Sequence, residues 1–264
     1  MKISSRQNAI VLRYRAVARG DIEGMLLLDG VHLVQDALAA GLVVEHAAID
    51  AGAAGRADIG RLSKALHAKG VQTVSATAPV MGAISPVRSP TGIVAIARRP
   101  ERDVDEFYKG TSPLVVIATD IQDPGNLGAI VRVAEAGGAS SVLAAGASAD
   151  PFGWKALRGS MGSALRLPVE RVDEASAAVA EARKRGCRIV ATVPRGGRSL
   201  YEINLKGRNA ILIGGEGPGL SESLIASADE RLTIPMESPV ESLNAATTAA
   251  VIVFEARRQR VSVS

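Results

Sequence analysis

Apolar and polar residues succeed one another along this chain in short blocks that predict alternating strands and helices. In the second half, apolar runs bounded by turn residues predict strands, and the stretches between them have helical periodicity. The predicted strands are Leu114–Thr119, Ser141–Ala145, Ala164–Pro168, Arg188–Val193, Ala210–Ile213 and Arg231–Ile234. The predicted helices are Asn126–Ala136, Trp154–Ser160, Asp173–Arg185, Ser221–Ala226 and Ser242–Arg260. This alternation indicates an α/β fold with a mostly parallel sheet and helices on both of its faces.

The first part of the chain has an α/β pattern of its own. Residues 5–19 have a helical period with Ile10 and Tyr14 on one face, and Ser4 or Ser5 is the expected cap. The strands predicted after this helix are Met25–Leu28, Val43–Ile49, Val71–Ser75 and Gly92–Ala97. The helices predicted between them are His32–Ala40 and Ile59–Lys69.

A charged stretch separates the two patterns. Residues 100–112 are rich in charged side chains, begin with Pro100 and are followed by Pro113, which is typical of a linker. The expected organisation is therefore a smaller α/β domain over residues 1–99 and a larger one over residues 113–264.

Composition narrows the class of protein. Aromatic residues make up only 3% of the chain, which predicts aliphatic, alanine-rich cores. No apolar run approaches the roughly 18 residues of a membrane span, and the first residues have no apolar stretch like that of a secretory signal. The single cysteine, Cys187, agrees with a reducing compartment, and three scattered histidines have no metal-ligand spacing. We therefore expect a cytoplasmic protein with neither a membrane segment nor a metal site.

Positive charge is concentrated near the start of the chain. Residues 1–100 hold 12 Lys and Arg against 7 Asp and Glu, a net +5, whereas residues 101–264 hold 19 against 20, a net −1. Phosphate backbones are common partners of such an asymmetry, although ordinary solubility explains it equally well. The candidate RNA contacts lie on the first helix and on one later helix: Arg6, Arg13, Arg15, Arg19, Lys155 and Arg158.

The first of three unusual loops follows the predicted strand Leu114–Thr119. Asn126 is placed in it to cap the next helix, with its side chain accepting a backbone N–H. Arg132 lies on that helix among small apolar residues, where an arginine usually meets a carboxylate or a phosphate. A strand, a turn and a capped helix would explain Asn126 but not Arg132, which is therefore a candidate functional residue.

The second loop, residues 214–221, is rich in glycine and resembles a dinucleotide-binding fingerprint. That fingerprint requires a glycine where this chain has Leu220, and Pro218 interrupts the turn that would hold phosphate. We expect instead that the glycines let a ligand approach the backbone closely, because they have no Cβ. Glu216 projects between them, either into solvent or into a site.

The third segment joins the predicted strand Arg231–Ile234 to the last helix. Pro235 ends the strand, and Ser242 is a good cap for the helix. Asn244 adds a polar group in the first turn, where a packed helix does not need one.

These three segments, in this order and at this spacing, resemble the signature of the SpoU (TrmH-type) RNA ribose 2′-O-methyltransferases of the SPOUT superfamily. The resemblance covers about residues 112–260 and rests on Asn126 with Arg132, on the glycine loop, and on the blocks 234–236 and 242–244. It implies that the C-terminal domain carries a deep trefoil knot. It also implies that the N-terminal domain is a substrate-binding module of ribosomal-protein-like α/β type.

The resemblance further implies a reaction, a cofactor and an assembly. The reaction is methyl transfer from S-adenosylmethionine to a ribose 2′-hydroxyl of RNA, with ribosomal RNA favoured over transfer RNA. A homodimer is implied because the family's site lies across a subunit interface. The positions that match the family's cofactor site are Gly214, Gly215, Gly219, Ile234, Met236, Ser242 and Leu243. Those that match its catalytic site are Asn126, Arg132, Glu216, Ser242 and Asn244.

Two other classes of protein remain open on the sequence. A non-catalytic RNA-binding protein could keep this fold, but it would be expected to lose Arg132 or the glycine loop. A nucleotide-dependent oxidoreductase would need the fingerprint that Pro218 and Leu220 disrupt.

Overall fold

The structure is a computed structural model that describes residues 2–261, and it divides the chain into two compact units. The first unit comprises the residues up to Glu101 together with Phe152–Leu165. The second comprises Arg102–Pro151 and the residues from Arg166 onwards. This division differs from the expected one, because a piece of the predicted larger domain lies in the first unit.

The first unit is built on a five-stranded sheet in the order β1-β4-β3-β5-β2. Strand β5 runs antiparallel to both of its neighbours, and the other pairs are parallel. Its elements in chain order are β1 Lys2–Ile3, α1 Ala9–Arg19, β2 Met25–Asp29, α2 Val31–Ala39, β3 Val44–Asp50, α3 Ala57–Ala68, β4 Gln72–Ala76, α4 Ala78–Ile84 and β5 Ile93–Arg98. The predicted strands and helices are all present here, whereas β1 and α4 were not predicted.

Helix α1 begins later than the sequence suggested. Asn8 is its N-cap and accepts a hydrogen bond from the Ile10 backbone N–H at 2.9 Å, so the expected caps Ser4 and Ser5 were wrong. Asparagine satisfies the free N–H groups of the first turn as well as serine does. Tyr14 is buried as expected, in a core that α1 and α4 form against the sheet.

The second unit contains a seven-stranded sheet in the order β10-β12-β9-β11-β6-β7-β8, and every pair in it is parallel. The elements that follow β5 in chain order are α5 Val104–Phe107, β6 Leu114–Thr119, α6 Pro124–Gly137, β7 Ser141–Ala145, α7 Trp154–Ser160, α8 Ser163–Arg166, β8 Val169–Val172, α9 Ala175–Lys184, β9 Arg188–Thr192, β10 Arg198–Ser199, β11 Asn209–Gly214, α10 Glu222–Ser227, β12 Glu230–Thr233 and α11 Ala245–Arg260. The predicted α/β fold with a parallel sheet is confirmed.

Two segments differ from their predicted structure. The expected strand Ala164–Pro168 is largely the helix α8, and the strand β8 begins only after Pro168. The expected linker 100–112 contains α5, whose N-terminus is closed by a capping box between Asp103 and Glu106. Phe107, at the end of α5, is buried in the core of the second unit. Apolar burial therefore holds part of that charged segment in place.

The central strands of the second unit end at the same level. Thr119 of β6 pairs with Gly214 of β11 on one side and with Ala145 of β7 on the other. On one face of this sheet α11 packs against α6 so closely that a Cβ on Gly137 would lie 2.2 Å from Val253 Cγ1. The loops that follow β6 and β11 therefore meet at one edge. The trefoil knot implied by the resemblance stays a prediction.

Helix α7 belongs to the first unit although it follows β7 in the sequence. It packs against β2 and buries Ala156, Leu157 and Ser160. Across the described residues, no helix is long and apolar enough to cross a membrane. The same residues contain no cluster of His, Cys, Asp and Glu that could hold a metal ion.

Candidate cofactor and RNA site

A cavity of about 390 Å³ opens at the carboxyl ends of β9, β11 and β12. This is the edge where parallel sheets bind ligands, because the connecting loops leave a crevice there. Its walls come from the residues after β9, from the glycine loop after β11 and from the segment between β12 and α11. All the residues predicted to bind the cofactor line it: Gly214, Gly215, Gly219, Ile234, Met236, Ser242 and Leu243.

The glycine loop is folded tightly on itself and against the end of β6. Gly215 and Gly219 form an isolated antiparallel bridge. A Cβ on Gly214 would lie 2.5 Å from the Leu220 backbone nitrogen, and one on Gly215 would lie 2.1 Å from the Asp120 carbonyl oxygen. The expectation that these glycines leave room for a ligand therefore needs correction. At Gly214 and Gly215 the missing side chain makes room for the protein's own backbone.

Three polar side chains, one from each predicted segment, meet at the rim of this cavity. The Asn126 amide donates a hydrogen bond to Glu216 Oε1. The Asn244 amide donates to the same Glu216 oxygen at 3.1 Å and to Asn126 Oδ1 at 3.2 Å. We call this group the Asn126–Glu216–Asn244 cluster. It links the first turn of α6, the loop after β11 and the start of α11.

Two predicted helix caps are wrong. Asp123, not Asn126, caps α6 by accepting the Asn126 backbone N–H at 2.8 Å. Asn244, not Ser242, caps α11, since its Oδ1 accepts the backbone N–H groups of Ala246 and Thr247. Helix α6 starts at Pro124, two residues earlier than expected, and α11 starts at Ala245, three residues later than expected. Asn126 and Ser242 are consequently released from capping, and their side chains face the rim and the cavity.

Arg132 does not reach this cavity within one chain. It is exposed on α6, makes no hydrogen bond or ion pair in the described part of the chain, and is not among the cavity's lining residues. Six residues separate it from Asn126, which corresponds to about 9 Å along the helix and a rotation of about 120°. The structure thus brings together Asn126, Glu216, Ser242 and Asn244 and leaves Arg132 apart.

Comparison with known proteins decides the family. The model of the SpoU rRNA methylase family matches residues 113–254, which is more than half of the chain. This chain belongs to the SpoU rRNA methylase family. It is 31% identical to an uncharacterised tRNA/rRNA methyltransferase of Synechocystis over 99% of this chain and 95% of that one. It is 30% identical to the 23S rRNA (guanosine(2553)-2′-O)-methyltransferase RlmP of Bacillus subtilis over 88% of both chains.

A solved structure agrees over nearly the whole length. The AdoMet-bound rRNA methyltransferase of Sinorhizobium meliloti matches with a TM-score of 0.88 and 27% identity, covering 99% of each chain. The predicted family is therefore confirmed. The predicted class of enzyme is confirmed as well: the family consists of RNA ribose 2′-O-methyltransferases that use S-adenosylmethionine.

The lining of the cavity fits that cofactor. Ile213, Leu232, Ile234 and Leu243 offer apolar surface, and glycine backbone supplies N–H and C=O groups beside it. The size is within the range of roughly 300–1,000 Å³ that small ligands occupy. The short helix α10 starts only at Glu222 after the bridged loop. A dinucleotide fingerprint would instead lead directly into a helix that receives the pyrophosphate.

The predicted RNA contacts of this SpoU protein lie on the first unit. Arg13 pairs with Glu45, Arg19 pairs with Asp21 at 2.6 Å, and Arg6 donates to the Pro79 carbonyl at 3.2 Å. Arg15 is exposed and makes no such contact among the described residues. These ion pairs are at the surface and contribute little stability, so the arginines remain available for exchange with phosphate.

The other two predicted contacts are on α7. Lys155 Nζ lies 5.5 Å from the centre of the Trp154 ring, and Arg158 is exposed. The Arg158 charge acts to lower the pKa of Asp29, although burial of that carboxyl group raises its pKa overall.

Sequence reasoning missed Asp120, which shapes the loop after β6. Its φ of 58° is in the left-handed region, and its Oδ1 accepts the Ala147 backbone N–H at 2.8 Å. Its carbonyl is the atom that requires glycine at position 215. Aspartate tolerates this conformation better than most residues, but nothing in the local sequence marks it.

Proposed function

We propose that this chain methylates a ribose 2′-hydroxyl of ribosomal RNA, with the reaction taking place at the Asn126–Glu216–Asn244 cluster. The observation that carries this proposal is the convergence of the cluster on the rim of the S-adenosylmethionine-sized cavity. The names of relatives that act on 23S rRNA support ribosomal RNA as the substrate. The cytoplasm, where ribosomal RNA is found, is the proposed compartment.

The cavity would hold S-adenosylmethionine by backbone groups of the glycine loop and by apolar contacts with Ile234, Met236 and Leu243. When bound, the sulfonium supplies an activated methyl group. Ser242 and Thr248 are hydroxyl groups in the same lining that can fix its orientation. The role of the chain is to hold the acceptor hydroxyl in line with that group and to exclude competing nucleophiles.

Each member of the cluster has a proposed role. Glu216 accepts two amide N–H groups on one oxygen, which fixes the glycine loop relative to α6 and α11. Asn126 and Asn244 thereby present their amides at the rim, where they can contact the target ribose. Arg132 would bind the adjacent phosphate and polarise the 2′-hydroxyl. It is a poor base because guanidinium rarely loses a proton, so proton loss is completed by phosphate or water.

We further propose that the active form is a homodimer in which Arg132 acts at the cluster of the partner subunit. The position of Arg132, outside the cavity of its own chain, supports this arrangement. Helices α6 and α11, which pack together, also leave apolar surface exposed, including 49% of Phe254 and part of Val133. A twofold interface formed by these helices would cover that surface.

Mixing two inactive variants tests both proposals. Arg132→Ala and Asn244→Ala should each abolish methyl transfer to ribosomal RNA, and Arg132→Ala should leave S-adenosylmethionine affinity nearly unchanged. After subunit exchange, half of the dimers would contain one subunit of each variant. Each mixed dimer would have one intact site out of two, so about a quarter of wild-type activity should return. Arg171→Ala, which removes an exposed arginine on β8, is the matched control and should remain active. Full exchange without recovery would contradict the shared site.

The target RNA is identified in cells that lack the protein. Ribose methylation of ribosomal RNA should lose one position in such cells, and the wild-type chain should restore it while Arg132→Ala does not. Loss of a transfer RNA position instead would reassign the substrate. An unchanged pattern in both RNAs would favour a non-catalytic RNA-binding protein.

A further inference from the structure

The exposed side of α7 and the residue that ends this helix carry an aromatic, a cationic and an apolar side chain. Trp154 and Arg158 are four residues apart on α7, which places them on the same side of that helix, and Met161 follows as its C-cap. We call these three side chains the row. The residues that α7 buries are Ala156, Leu157 and Ser160. Trp154 is half-buried, Arg158 is exposed, and 60% of Met161 is exposed.

The backbone of Met161 is in a conformation that methionine rarely adopts. Its φ of 48° and ψ of 45° are left-handed, and this position at the end of a helix is usually glycine. The chain has glycine on either side, at Gly159 two residues before and at Gly162 directly after. Since most of the Met161 side chain is exposed, packing within the protein does not compensate for its backbone strain. Such strain is typical of residues that have a function outside the fold.

The charge around this row is positive. Residues 152–165 include Lys155 and Arg158 and no aspartate or glutamate. One acidic group near Arg158 is Asp29, which is half-buried and accepts a hydrogen bond from the Ser85 hydroxyl. Lys155 and Arg158 are both exposed, so two cations of this segment are accessible to a phosphate.

We propose that the row Trp154–Arg158–Met161 binds unpaired nucleotides of the RNA substrate. Bases would lie against the Trp154 ring and the Met161 thioether, and Arg158 and Lys155 would contact the phosphates that join them. Single-stranded nucleic acids are bound by this combination of flat or polarisable side chains with cations. Bases within a duplex keep their faces stacked and cannot make such contacts. This inference rests on the proposed function in taking RNA as the substrate.

The single tryptophan gives a direct measurement on the full chain. Titration with a short single-stranded RNA of mixed sequence should quench the Trp154 fluorescence, and a blunt duplex of the same sequence should quench it far less. Met161→Gly should weaken binding of the single strand about five- to tenfold, the loss of one base contact. Its melting temperature should stay the same or rise, since glycine adopts the left-handed conformation without strain. Met161→Leu, which keeps the apolar bulk, should retain affinity.

A second pair of variants tests the cation. Arg158→Gln should weaken binding and reduce its dependence on salt, whereas Arg171→Gln, the exposed arginine on β8, should change neither. Unchanged affinity in Met161→Gly together with a higher melting temperature would mean that Met161 only ends the helix, and the proposal would be wrong. Equal quenching by duplex RNA would also overturn it. Absence of methyl transfer by the wild type, with Met161-dependent RNA binding intact, would contradict the proposed function and leave this inference standing.

Discussion

Asn244 has two separate tasks that one substitution can divide. Its Oδ1 caps α11, while its amide donates to Glu216 and Asn126. Asn244→Asp keeps an oxygen for the cap, loses the amide donor and places a second carboxylate beside Glu216. We expect it to retain most of the helix stability yet lose methyl transfer. Asn244→Ala loses both tasks, and its free energy of unfolding should fall by about 1 kcal/mol, a typical cap contribution.

These two variants are compared by chemical denaturation and by methyl transfer to ribosomal RNA. Wild-type activity in a folded Asn244→Asp protein would show that the amide has no part in the reaction. Equal stability of the Asp and Ala variants would show instead that the cap contributes little.

Gly215 supports the cavity through backbone packing, so its substitution should act on folding and ligand binding together. A Cβ there would meet the Asp120 carbonyl at 2.1 Å, and neither backbone segment can move without displacing a strand end. Gly215→Ala should lower both the melting temperature and the affinity for S-adenosylmethionine. At Gly217 a Cβ meets no atom within 4 Å, although its φ of 103° still strains an alanine. Calorimetry should therefore show smaller losses of melting temperature and of S-adenosylmethionine affinity for Gly217→Ala. If Gly215→Ala lost affinity but kept its melting temperature, the glycine would instead leave room for the ligand.

His46 makes the stability of the first unit depend on pH. It is 6% exposed, and the Tyr14 hydroxyl lies 2.8 Å from its Nδ1. Burial, and secondarily the Arg13 charge, lower the pKa of His46 below its usual value. The unfolded chain therefore binds the proton more readily than the folded chain. This contribution to stability is complete above the usual histidine pKa of about 6.5 and is lost as pH falls from there towards the lowered folded value.

Urea unfolding between about pH 4 and pH 7 measures this linkage. His46→Gln should reduce the number of protons taken up on unfolding by as much as about one. His32→Gln is the control, because His32 is exposed on α2. An identical pH dependence in wild type and His46→Gln would assign the linkage to other groups.

At the scale of elements, periodicity identified the central strands of both sheets but missed the two-residue strands β1 and β10, and it did not show how helices begin. The central residues of β6, β7, β9 and β11 are apolar and buried, and polar residues stand only at the strand ends, a pattern typical of a parallel sheet covered on both faces. Helix starts depend instead on which of several polar residues turns towards the backbone. Asp123 precedes Pro124 and so carried the usual signal of a cap before a first-turn proline, whereas Asn126 is itself a good capping residue three positions later.

Tertiary packing explains the other differences. Ala164–Leu165 is apolar enough for a strand, but α8 buries both residues within a short helix before Pro168. The residues predicted to bind the cofactor line one cavity because their segments lie at the ends of strands that meet at one edge of a parallel sheet. The contacts among Asn126, Glu216 and Asn244 join residues 28, 90 and 118 positions apart, and no local pattern encodes them.

The end of α11 is anchored, although a run of arginines at a helix terminus is usually solvated. The Arg260 guanidinium donates to the carbonyls of Leu205 and Ser112 at 2.7 Å and of Gly207 at 2.8 Å. Burial lowers the pKa of Arg260, but an arginine side chain stays charged at the pH values at which proteins are folded. Arg260→Ala should lower the free energy of unfolding by about 1–2 kcal/mol, because it removes three hydrogen bonds, of which the one to the Leu205 carbonyl is partly buried. Arg258→Ala, which removes an exposed pair with Glu255, should change it by less than about 1 kcal/mol.

Urea denaturation of the two variants gives this comparison directly. Equal effects would mean that water replaces the Arg260 hydrogen bonds without cost. The C-terminal helix would then be held by its contacts with α6 and β11 and by the hydrogen bonds of Gln259 with Ile203 and Leu205.

At the scale of the whole molecule, the two units cannot be separated by cutting the chain near residue 100. The first unit includes Phe152–Leu165, and α7 buries apolar residues against β2. A protein without its first hundred residues would expose Phe152, Ala156 and Leu157 to water. Such a truncation would weaken folding and RNA binding together, so it cannot test whether the positive charge of the first unit attracts RNA. Single charge substitutions on the intact chain can.

Arg15 provides that test, since it is exposed on α1 and makes no hydrogen bond or ion pair within residues 2–261. If it contacts a phosphate, Arg15→Gln should weaken RNA binding and flatten the plot of log affinity against log salt by about 0.7–0.9 for the lost contact. Arg13 and Arg19 must first leave Glu45 and Asp21, so their removal should have smaller effects.

Arg171→Gln is the control for a lost surface charge outside the first unit. Filter-binding titrations over a range of salt concentrations supply the slopes, and equal slopes for Arg15→Gln, Arg171→Gln and wild type would assign the excess charge of the first unit to solubility.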